Sequence, residues 1–342
     1  MPRPWNIKVD ESYRPRATII LPTYNEAKLI QSRLDNIYTQ DYPKELIEVI
    51  VIDSSSNDGT PDLVKEWISR HRDFNLKLIE EAERRGKAQA LNHALKHASG
   101  EIIVIADADA LWPREALKET LKWFSDPTVG AVSCLKKPLG ARVRDIEESY
   151  RYYYNTLRIA ESKAYSTPIF HGELAAFRKD LLERLGGFPI DIGADDSHTA
   201  TRIALMGYKA IIPENLFVEE IAPSKSYSQW RARRAQHLIQ HFIKVLKELR
   251  RTPRELKAIL LIEAYLHMLN PLLLFISVTL LATSALIARS PIAITALALG
   301  VALLILKPYR IWVTMQTYLL TATLKNLWSK EIVWNKQAKL LS

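Results

Sequence analysis

Two pairs of acidic residues in this sequence could carry out chemistry. Asp107 and Asp109 flank one alanine after an apolar run, and Asp195 and Asp196 are adjacent at the start of a predicted helix. The first pair could bind a divalent cation such as Mg²⁺ together with substrate phosphates, or could be a solvated pair at a helix start. One carboxylate of the second pair could act as a general base, or the pair could cap the helix. His198 is a candidate metal ligand, although a lone histidine more often has no such role.

A basic turn precedes another predicted helix. Arg84, Arg85 and Lys87 surround Gly86, where a ligand can approach the backbone closely. The cations and the helix N-terminus suit a diphosphate. The turn lacks the full phosphate-loop pattern, which argues against a nucleoside triphosphatase, and the alternative is a charged surface turn.

The elements that must position these residues follow a strand–helix rhythm. Apolar runs predict strands at 17–21, 49–52, 76–79 and 102–106, each followed by a helical pattern. This alternation predicts an α/β fold with a mostly parallel sheet and helices on both faces. Ligands bind at the carboxyl ends of strands in such sheets, and Pro22, Asp53 and Asp107 lie at three such ends.

Composition and charge limit the classes of protein that remain. The chain has 342 residues, of which 48% are hydrophobic and 25% charged, and this balance excludes disorder. A single cysteine excludes a disulfide framework and a cysteine-cluster metal site. The net charge of +9 indicates an anionic partner: a nucleic acid, an anionic lipid or a phosphorylated substrate. The basic residues are not interleaved with an aromatic stacking platform, so we expect no nucleic acid.

The C-terminal third has the composition of a membrane segment. Residues 264–288 and 292–306 carry no formal charge, and the first run is long enough to cross a bilayer. The alternative is a buried helical hairpin in a soluble protein. Residues 229–251 predict a basic amphipathic helix suited to an anionic membrane surface. The basic flanks favour two spans with both ends in the cytosol, and 311–324 as an interfacial helix rather than a third span.

This pattern divides the chain into four predicted parts. Residues 1–225 form a catalytic domain, and 226–257 form an interfacial helix. Two transmembrane helices follow in 258–307, and 308–342 form a second interfacial helix with a cytosolic tail. The N-terminus shows no apolar run typical of a cleaved secretory signal, so we expect an integral membrane protein whose catalytic domain is cytosolic.

Six motifs in order resemble family 2 glycosyltransferases of the GT-A fold, in the membrane-bound branch similar to dolichyl-phosphate mannosyltransferases and cellulose or hyaluronan synthases. The resemblance covers about residues 17–235 and rests on these segments: 20–26 (ILPTYNE), 51–60 (VIDSSSNDGT), 86–92 (GKAQALN), 107–109 (DAD), 170–188 and 195–208.

The resemblance implies inverting transfer from a nucleotide-diphosphate sugar with Mg²⁺ or Mn²⁺ as cofactor. It implies that Asp109 ligates the metal and that Asp107 faces the nucleotide. Asp196 would be the general base, with Asp195 as its neighbour. The remaining donor contacts would come from Pro22, Tyr24, Glu26 and Asp53 at the nucleoside and from Lys87 near the base or the phosphates.

Two segments depart from the synthase pattern. Gln229-Trp230-Arg231-Ala232-Arg233-Arg234 replaces Gln-x-x-Arg-Trp, so Arg231, Arg233 or Arg234 is expected to reach the diphosphate, and a membrane-surface charge patch is the alternative. His171-Gly172-Glu173 replaces Cys-Gly-Ser on the acceptor side.

We therefore expect a membrane-bound hexosyltransferase at the cytosolic face. The acceptor would be a polyprenyl phosphate or a lipid-linked saccharide, held near anionic membrane lipids. GDP-mannose is the favoured donor and UDP-glucose the second. A processive polysaccharide synthase is an alternative, although two spans are few for a polymer channel. A non-catalytic, membrane-anchored nucleotide-sugar binder is the other.

Overall fold

A computed structural model describes residues 4–139, 144–221 and 227–330. Within these residues, ten strands form two sheets. The large sheet has seven strands in the order β3-β2-β1-β4-β8-β6-β9, and the small sheet has three in the order β5-β10-β7. The strands are β1 (Ala17–Thr23), β2 (Ile47–Asp53), β3 (Leu76–Glu80), β4 (Ile102–Ile105), β5 (Ala110–Leu111), β6 (Val129–Ser133), β7 (Leu135–Leu139), β8 (Ala175–Arg178), β9 (Lys209–Ile211) and β10 (Phe217–Ile221).

Twelve α-helices are present in the described part of the chain. They are α1 (Ile30–Tyr38), α2 (Thr60–Arg70), α3 (Lys87–Leu95), α4 (Ala116–Leu121), α5 (Arg144–Ala164), α6 (Lys179–Leu185), α7 (Asp195–Leu205), α8 (Tyr227–Val245), α9 (Arg254–Ala264), α10 (Asn270–Ile287), α11 (Pro291–Leu303) and α12 (Lys307–Lys325).

The centre of the large sheet confirms the predicted α/β architecture. β1 pairs in parallel with β2 on one side and β4 on the other, whereas β8 runs antiparallel to β4 and β6. Alternate residues of β1 point into two separate apolar clusters, with Ile19 and Leu21 on one face and Ile20 on the other. Burial on both faces explains why the central strands read as continuous apolar runs.

The strand register brings the predicted site residues to one edge of the sheet. Thr23 pairs with Asp53 at the ends of β1 and β2, and Ile20 pairs with Ile105 near the end of β4. The chain leaves β4 through Ala106 and reaches Asp107 at once. Parallel pairing therefore places the loops after β1, β2 and β4 side by side.

The helix predicted for the membrane surface is packed more deeply than expected. α8 inserts Phe242 and Val245 into the apolar core of the domain built around the large sheet. Arg231 and Arg233, on the same helix, are also buried. Because the domain itself covers the apolar face of α8, the amphipathic pattern does not require a membrane surface.

One helix is long and apolar enough to cross a bilayer. α9 and α10 join through a π-helical turn at Tyr265–Leu269 into a helix of 34 residues, Arg254–Ile287. Its C-terminal half exposes large apolar side chains, among them Phe275, Ile276 and Leu280. The support for a membrane span rests on helix length and apolar composition alone, and such support is weak.

The predicted second span is shorter than expected. α11 has 13 residues, about 20 Å of helix, which is less than a hydrocarbon core. It packs against α10 and is bent by 105° from α12. A transmembrane hairpin is therefore not established.

α12 occupies the stretch predicted as an interfacial helix. It packs along α8 and buries Ile311, Met315 and Leu319. The boundary predicted at 225/226 and the tail at 331–342 lie outside the described residues.

Candidate active site

A cavity of about 240 Å³ lies at the carboxyl edge of the sheet. We call it the central cavity. It brings together seven of the residues predicted from sequence, and they come from α3, the turn after β4, α7 and α8: Lys87, Asp107, Asp195, Asp196, Arg231, Arg233 and Arg234.

Three of these side chains converge on one glycine. A Cβ atom at Gly172 would lie 2.8 Å from Lys87 Nζ, 3.4 Å from Asp196 Oδ2 and 3.5 Å from Asp107 Oδ2. Lys87 Nζ donates to Asp107 Oδ1 at 2.7 Å. Although burial disfavours the ammonium, the carboxylates of Asp107, Asp195 and Asp196 raise the pKa of Lys87. The predicted base, Asp196, and Asp107 of the Asp-x-Asp motif therefore both lie close to Gly172. A side chain at this position would collide with Lys87.

The two carboxylates that begin α7, Asp195 and Asp196, are buried and interact with each other. Asp196 Oδ1 accepts from the backbone N–H of Ser197 at 2.7 Å. Burial and then the charge of Asp195 raise the pKa of Asp196 to about 7, against the opposing effect of Lys87. A carboxylate with a pKa near neutrality suits a general base at physiological pH.

The predicted nucleoside contacts lie in the loops after β1 and β2. Pro22 pairs with Ile52 at the sheet edge, and the guanidinium of Arg84 stacks over the Tyr24 ring at 3.9 Å. The backbone N–H of Glu26 donates to the Thr60 hydroxyl at 2.8 Å. These contacts bind the two loops and the basic turn into one surface, but Pro22, Tyr24 and Glu26 do not line the central cavity.

Asp53 stabilises the loop after β2 through hydrogen bonds. It is 1% exposed, and its Oδ1 accepts from the hydroxyls of Ser56 and Thr23 at 2.6 and 2.9 Å. Its Oδ2 accepts from the backbone N–H of Ser56 at 2.8 Å. The carboxylate thus fixes the turn after β2, and its contact with a nucleoside stays a prediction.

The Asp-x-Asp segment offers two carboxylates to a cation. Asp107 and Asp109 are half-buried in the turn between β4 and β5. No group of three or more His, Cys, Asp or Glu side chains able to hold a metal occurs within residues 4–139, 144–221 and 227–330. Mg²⁺ and similar cations are commonly coordinated by two carboxylates together with phosphate and water oxygens, so this donor set fits the implied metal.

His198 is not brought to the Asp-x-Asp segment. It is 5% exposed, and its Nδ1 lies 3.4 Å from His241 Nδ1, between α7 and α8. Burial lowers the pKa of His198 to about 4. Two residues along a helix turn the side chain by about 200°, so His198 and the cavity-lining Asp196 leave α7 on opposite sides.

A network of charged side chains joins β7, β10 and α8, and sequence reasoning did not identify it as a unit. Lys136 Nζ lies 2.5 Å from Glu173 Oε1 and 3.3 Å from Glu220 Oε2. Arg234 bonds both carboxylates, with Nη2 2.9 Å from Glu173 Oε1. Although burial opposes ionisation, Lys136 and Arg234 hold the pKa of Glu173 well below its usual range. The available signal was a pair of charged residues inside each short strand, Lys136-Lys137 in β7 and Glu219-Glu220 in β10.

The opposite wall of the central cavity comes from the C-terminal helices. Leu238 of α8 and three residues of α12, Met315, Tyr318 and Leu319, line it. The Tyr318 hydroxyl lies 3.3 Å from the Ser228 hydroxyl. Residues after the apolar helix therefore complete a cavity that begins at the edge of the large sheet.

The chain is similar to glycosyltransferases in sequence and structure. The model of the family "Glycosyl transferase family 2" matches residues 18–186. A mannosyltransferase from Pyrobaculum calidifontis, solved in complex with GDP-Man and Mn²⁺, is 57% identical, with a TM-score of 0.88, over 96% of this chain and 92% of that one.

Two curated relatives match over shorter stretches. A dolichyl N-acetyl-α-D-glucosaminyl phosphate 3-β-D-2,3-diacetamido-2,3-dideoxy-β-D-glucuronosyltransferase from Methanococcus voltae is 36% identical, over 31% of this chain and 33% of the relative. A poly-β-1,6-N-acetyl-D-glucosamine synthase from Staphylococcus aureus is 28% identical, over 60% of this chain and 49% of the relative. The matches thus span a third to a half of the length of these relatives.

Proposed function

Because this chain belongs to glycosyltransferase family 2, we propose that it transfers mannose from GDP-mannose, with inversion, to a hydroxyl of a lipid-linked acceptor. The observation that carries the proposal is the convergence of Lys87, Asp107 and Asp196 on Gly172. The 57% identity to a mannosyltransferase solved with GDP-Man and Mn²⁺ supports mannose and GDP over glucose and UDP.

The donor end of the site must hold a diphosphate. Asp107 and Asp109 would hold Mg²⁺ or Mn²⁺, which when bound supplies positive charge to the leaving nucleoside diphosphate. Lys87, fixed by Asp107 at 2.7 Å, adds a second positive charge that is already in place before reaction. Preorganised charge of this kind costs no rearrangement when the phosphate charge develops.

The acceptor end needs a base. Asp196 accepts the proton of the acceptor hydroxyl while that oxygen attacks the anomeric carbon of mannose. The bond from the anomeric carbon to the diphosphate oxygen breaks with its electron pair, and GDP leaves from the opposite face, so the configuration inverts. Asp195 favours protonation of Asp196 through charge repulsion, which makes Asp196 the stronger base.

A lipid-linked acceptor, either a polyprenyl phosphate or a saccharide carried on a lipid, agrees with the shape of the molecule. Leu238 of α8 and Met315 and Leu319 of α12 give the central cavity an apolar wall that a lipid tail can contact. Arg254–Ile287 would anchor the chain in the membrane, with the catalytic domain in the cytosol and beside anionic lipids. In a polyprenyl phosphate the attacking group is an ionised phosphate oxygen, which needs no general base. The presence of Asp196 as a base therefore favours the lipid-linked saccharide as the acceptor.

Transfer and membrane association are tested on the full chain. Purified in neutral detergent, it should transfer labelled mannose from GDP-mannose to an isoprenyl-linked saccharide when Mn²⁺ is present. It should fail with UDP-glucose and after chelation. Equal use of both donors would contradict the donor assignment, and release of the chain from cell membranes by alkaline carbonate would contradict the anchor.

A processive synthase is the second candidate, because of the similarity to the Staphylococcus aureus synthase. The length of the product separates the two. A single added mannose supports the proposed transfer, whereas a ladder of products supports the synthase.

A further inference from the structure

One charged residue lies on the buried face of α1. The buried residues of this helix follow the i, i+3, i+4, i+7 spacing of an apolar stripe, in which Arg33 stands between Ile30 and Leu34. Arg33 is 1% exposed, and its Nε and Nη2 atoms are buried with no hydrogen-bond partner among the described residues. Buried donors without partners cost stability, so their retention indicates a role other than packing.

Arg33 orients a neighbouring amide that holds the chain after the Asp-x-Asp segment. Arg33 Nη1 donates to Asn36 Oδ1 at 2.5 Å. The same amide binds both backbone groups of Trp112: Oδ1 accepts from the Trp112 N–H at 3.0 Å, and Nδ2 donates to the Trp112 carbonyl at 2.8 Å. A flip that exchanged the oxygen and nitrogen of this amide would lose all three bonds, so the guanidinium fixes its orientation.

Trp112 joins this arrangement to both sides of the active site. It follows Asp109 by three residues, and the Arg33 guanidinium lies 4.3 Å from the centre of its ring. Its indole Nε1 donates to the backbone carbonyl of Glu173 at 2.8 Å, in the turn that contains Gly172. We call Arg33, Asn36 and Trp112 the α1 clamp, because together they tie α1 to the chain after Asp109 and to the Gly172 turn.

The charge of Arg33 also acts on the Asp-x-Asp segment. Burial lowers the pKa of Arg33 to about 9, and the carboxylates of Asp107 and Asp109 oppose that shift. The guanidinium therefore stays charged at neutral pH. Arg33 contributes a fixed positive charge near the two carboxylates from a position that solvent does not reach.

We infer that Arg33 is a positioning residue for the metal–nucleotide complex. Through Asn36 and Trp112 it fixes the Asp-x-Asp turn relative to the Gly172 turn. Because Arg33 is buried, it acts through the residues that it holds and not through a contact with the donor. The inference rests on the proposed function, because it concerns the binding of GDP and Mn²⁺ at the same site.

Binding of GDP with and without Mn²⁺ tests this role without any turnover. Arg33→Met keeps an unbranched side chain and removes the guanidinium. In isothermal titration of the full chain in neutral detergent, the gain in GDP affinity that Mn²⁺ produces should fall about tenfold, the usual effect of losing a group that orients metal ligands. Affinity for GDP with a chelator present should not change, because the loops after β1 and β2 are untouched. The Tm without ligand should equal or exceed that of the wild type, because two buried donors without partners are removed.

A second variant and a control complete the test. Asn36→Ala breaks the same α1 clamp and should reduce the Mn²⁺ effect by a similar factor. The double variant should lose no more than the larger single loss, because both changes remove one interaction. Arg70→Met, which changes an exposed arginine at the end of α2, should behave as the wild type. An undiminished Mn²⁺ effect in Arg33→Met or Asn36→Ala, additive losses, or an equal loss of GDP affinity with and without Mn²⁺ would overturn the inference.

This inference and the proposed function fail in different ways. Wild-type protein that binds GDP equally with and without Mn²⁺ would overturn both. Wild-type protein that shows the Mn²⁺ effect but transfers no mannose would refute the proposed function alone, and the variants would still decide the role of Arg33.

Discussion

In the proposed mechanism, one carboxylate with a raised pKa activates the acceptor. Asp196 lies beside Asp195 and shares the space around Gly172 with Lys87. Its pKa of about 7 means that the base form is the minority below neutrality. We therefore expect the rate of transfer and the stability of the fold to depend on pH in opposite directions.

We expect kcat/KM to fall as the pH drops through 7, because Asp196 becomes protonated and cannot accept the hydroxyl proton. Asp196→Asn should lower kcat by about a thousandfold and leave GDP binding intact. Initial rates from about pH 5.5 to about 8.5 and a GDP titration measure this. Asp180→Asn, which changes an exposed acid in the first turn of α6, is the control. A flat pH profile in the wild type would contradict the assignment.

The same residue should affect stability in the opposite sense. A carboxyl group whose pKa is raised by folding binds its proton more tightly in the native state, so its contribution to stability is lost as the pH rises toward and through 7. Asp196→Asn should therefore have a higher Tm than the wild type at about pH 8 and a similar Tm at about pH 4.5. A lower Tm of the variant at the higher pH would argue against the raised pKa.

The Asp-x-Asp segment gives a prediction about the metal. Asp109→Asn should abolish the rise in Tm that GDP with Mn²⁺ produces, and should lower transfer by about a hundredfold, because the cation loses one of its two carboxylates. The control is Asp62→Asn, which changes an exposed acid in the first turn of α2. Full stabilisation of the Asp109→Asn variant by GDP with Mn²⁺ would exclude this metal site.

Contacts between elements place the base. The loop before α7 lies against α8, where Lys244 pairs with Asp191 and Gln240 accepts from the backbone N–H of Gly193 at 3.4 Å. Gln240 also donates to Asn326 Oδ1 at 2.9 Å, beyond the end of α12. The helices after the catalytic domain thus contact the loop that precedes α7, the helix that carries Asp196.

Gly193 is the point of closest approach in this arrangement. A Cβ atom there would lie 2.3 Å from His237 Nε2, so Gly193→Ala must move either the loop or the ring. We expect kcat to fall about tenfold to a hundredfold, because an error of about 1 Å in positioning costs that much. Donor binding should not change. The double variant Gly193→Ala/His237→Ala should recover most of the loss, and full activity of Gly193→Ala alone would contradict the close contact.

At the scale of the whole molecule, a buried ion pair joins the catalytic domain to the long apolar helix. Arg158 of α5 lies 2.6 Å from Glu263 of α9 and 3.2 Å from Glu161. Arg158 is 1% exposed and Glu263 is fully buried. The orientation of Arg254–Ile287 relative to the active site therefore depends on a charge contact shielded from water.

Breaking this contact should destabilise the whole chain. Glu263→Leu leaves Arg158 with one fewer carboxylate, and we expect a loss of about 3 kcal/mol in the free energy of unfolding. Unfolding by denaturant in detergent measures the effect. Glu255→Leu changes an exposed residue in the first turn of the same helix and should have little effect. Equal stability of the two variants would show that the Arg158–Glu263 pair does not stabilise the contact between the catalytic domain and the long helix.

Four strands of the large sheet could be predicted from sequence because the signals are local. The apolar runs that became β1, β2, β3 and β4 reflect burial on both faces, and parallel pairing then brings Asp53 and Asp107 to one edge. Family motifs with fixed spacing pointed to Lys87 and Asp196, and the structure places both in the central cavity with Asp107.

What the amino-acid sequence determined by itself was the α/β order of elements, the carboxylates at strand ends and the apolar run that became the long helix. The tertiary structure alone decided the rest. Glu173 meets Lys136 and Arg234 across 37 and 61 residues, His198 turns into the core, and α12 returns to cover the cavity. Such contacts depend on which distant surfaces pack together, and no periodicity within a helix or strand encodes that choice.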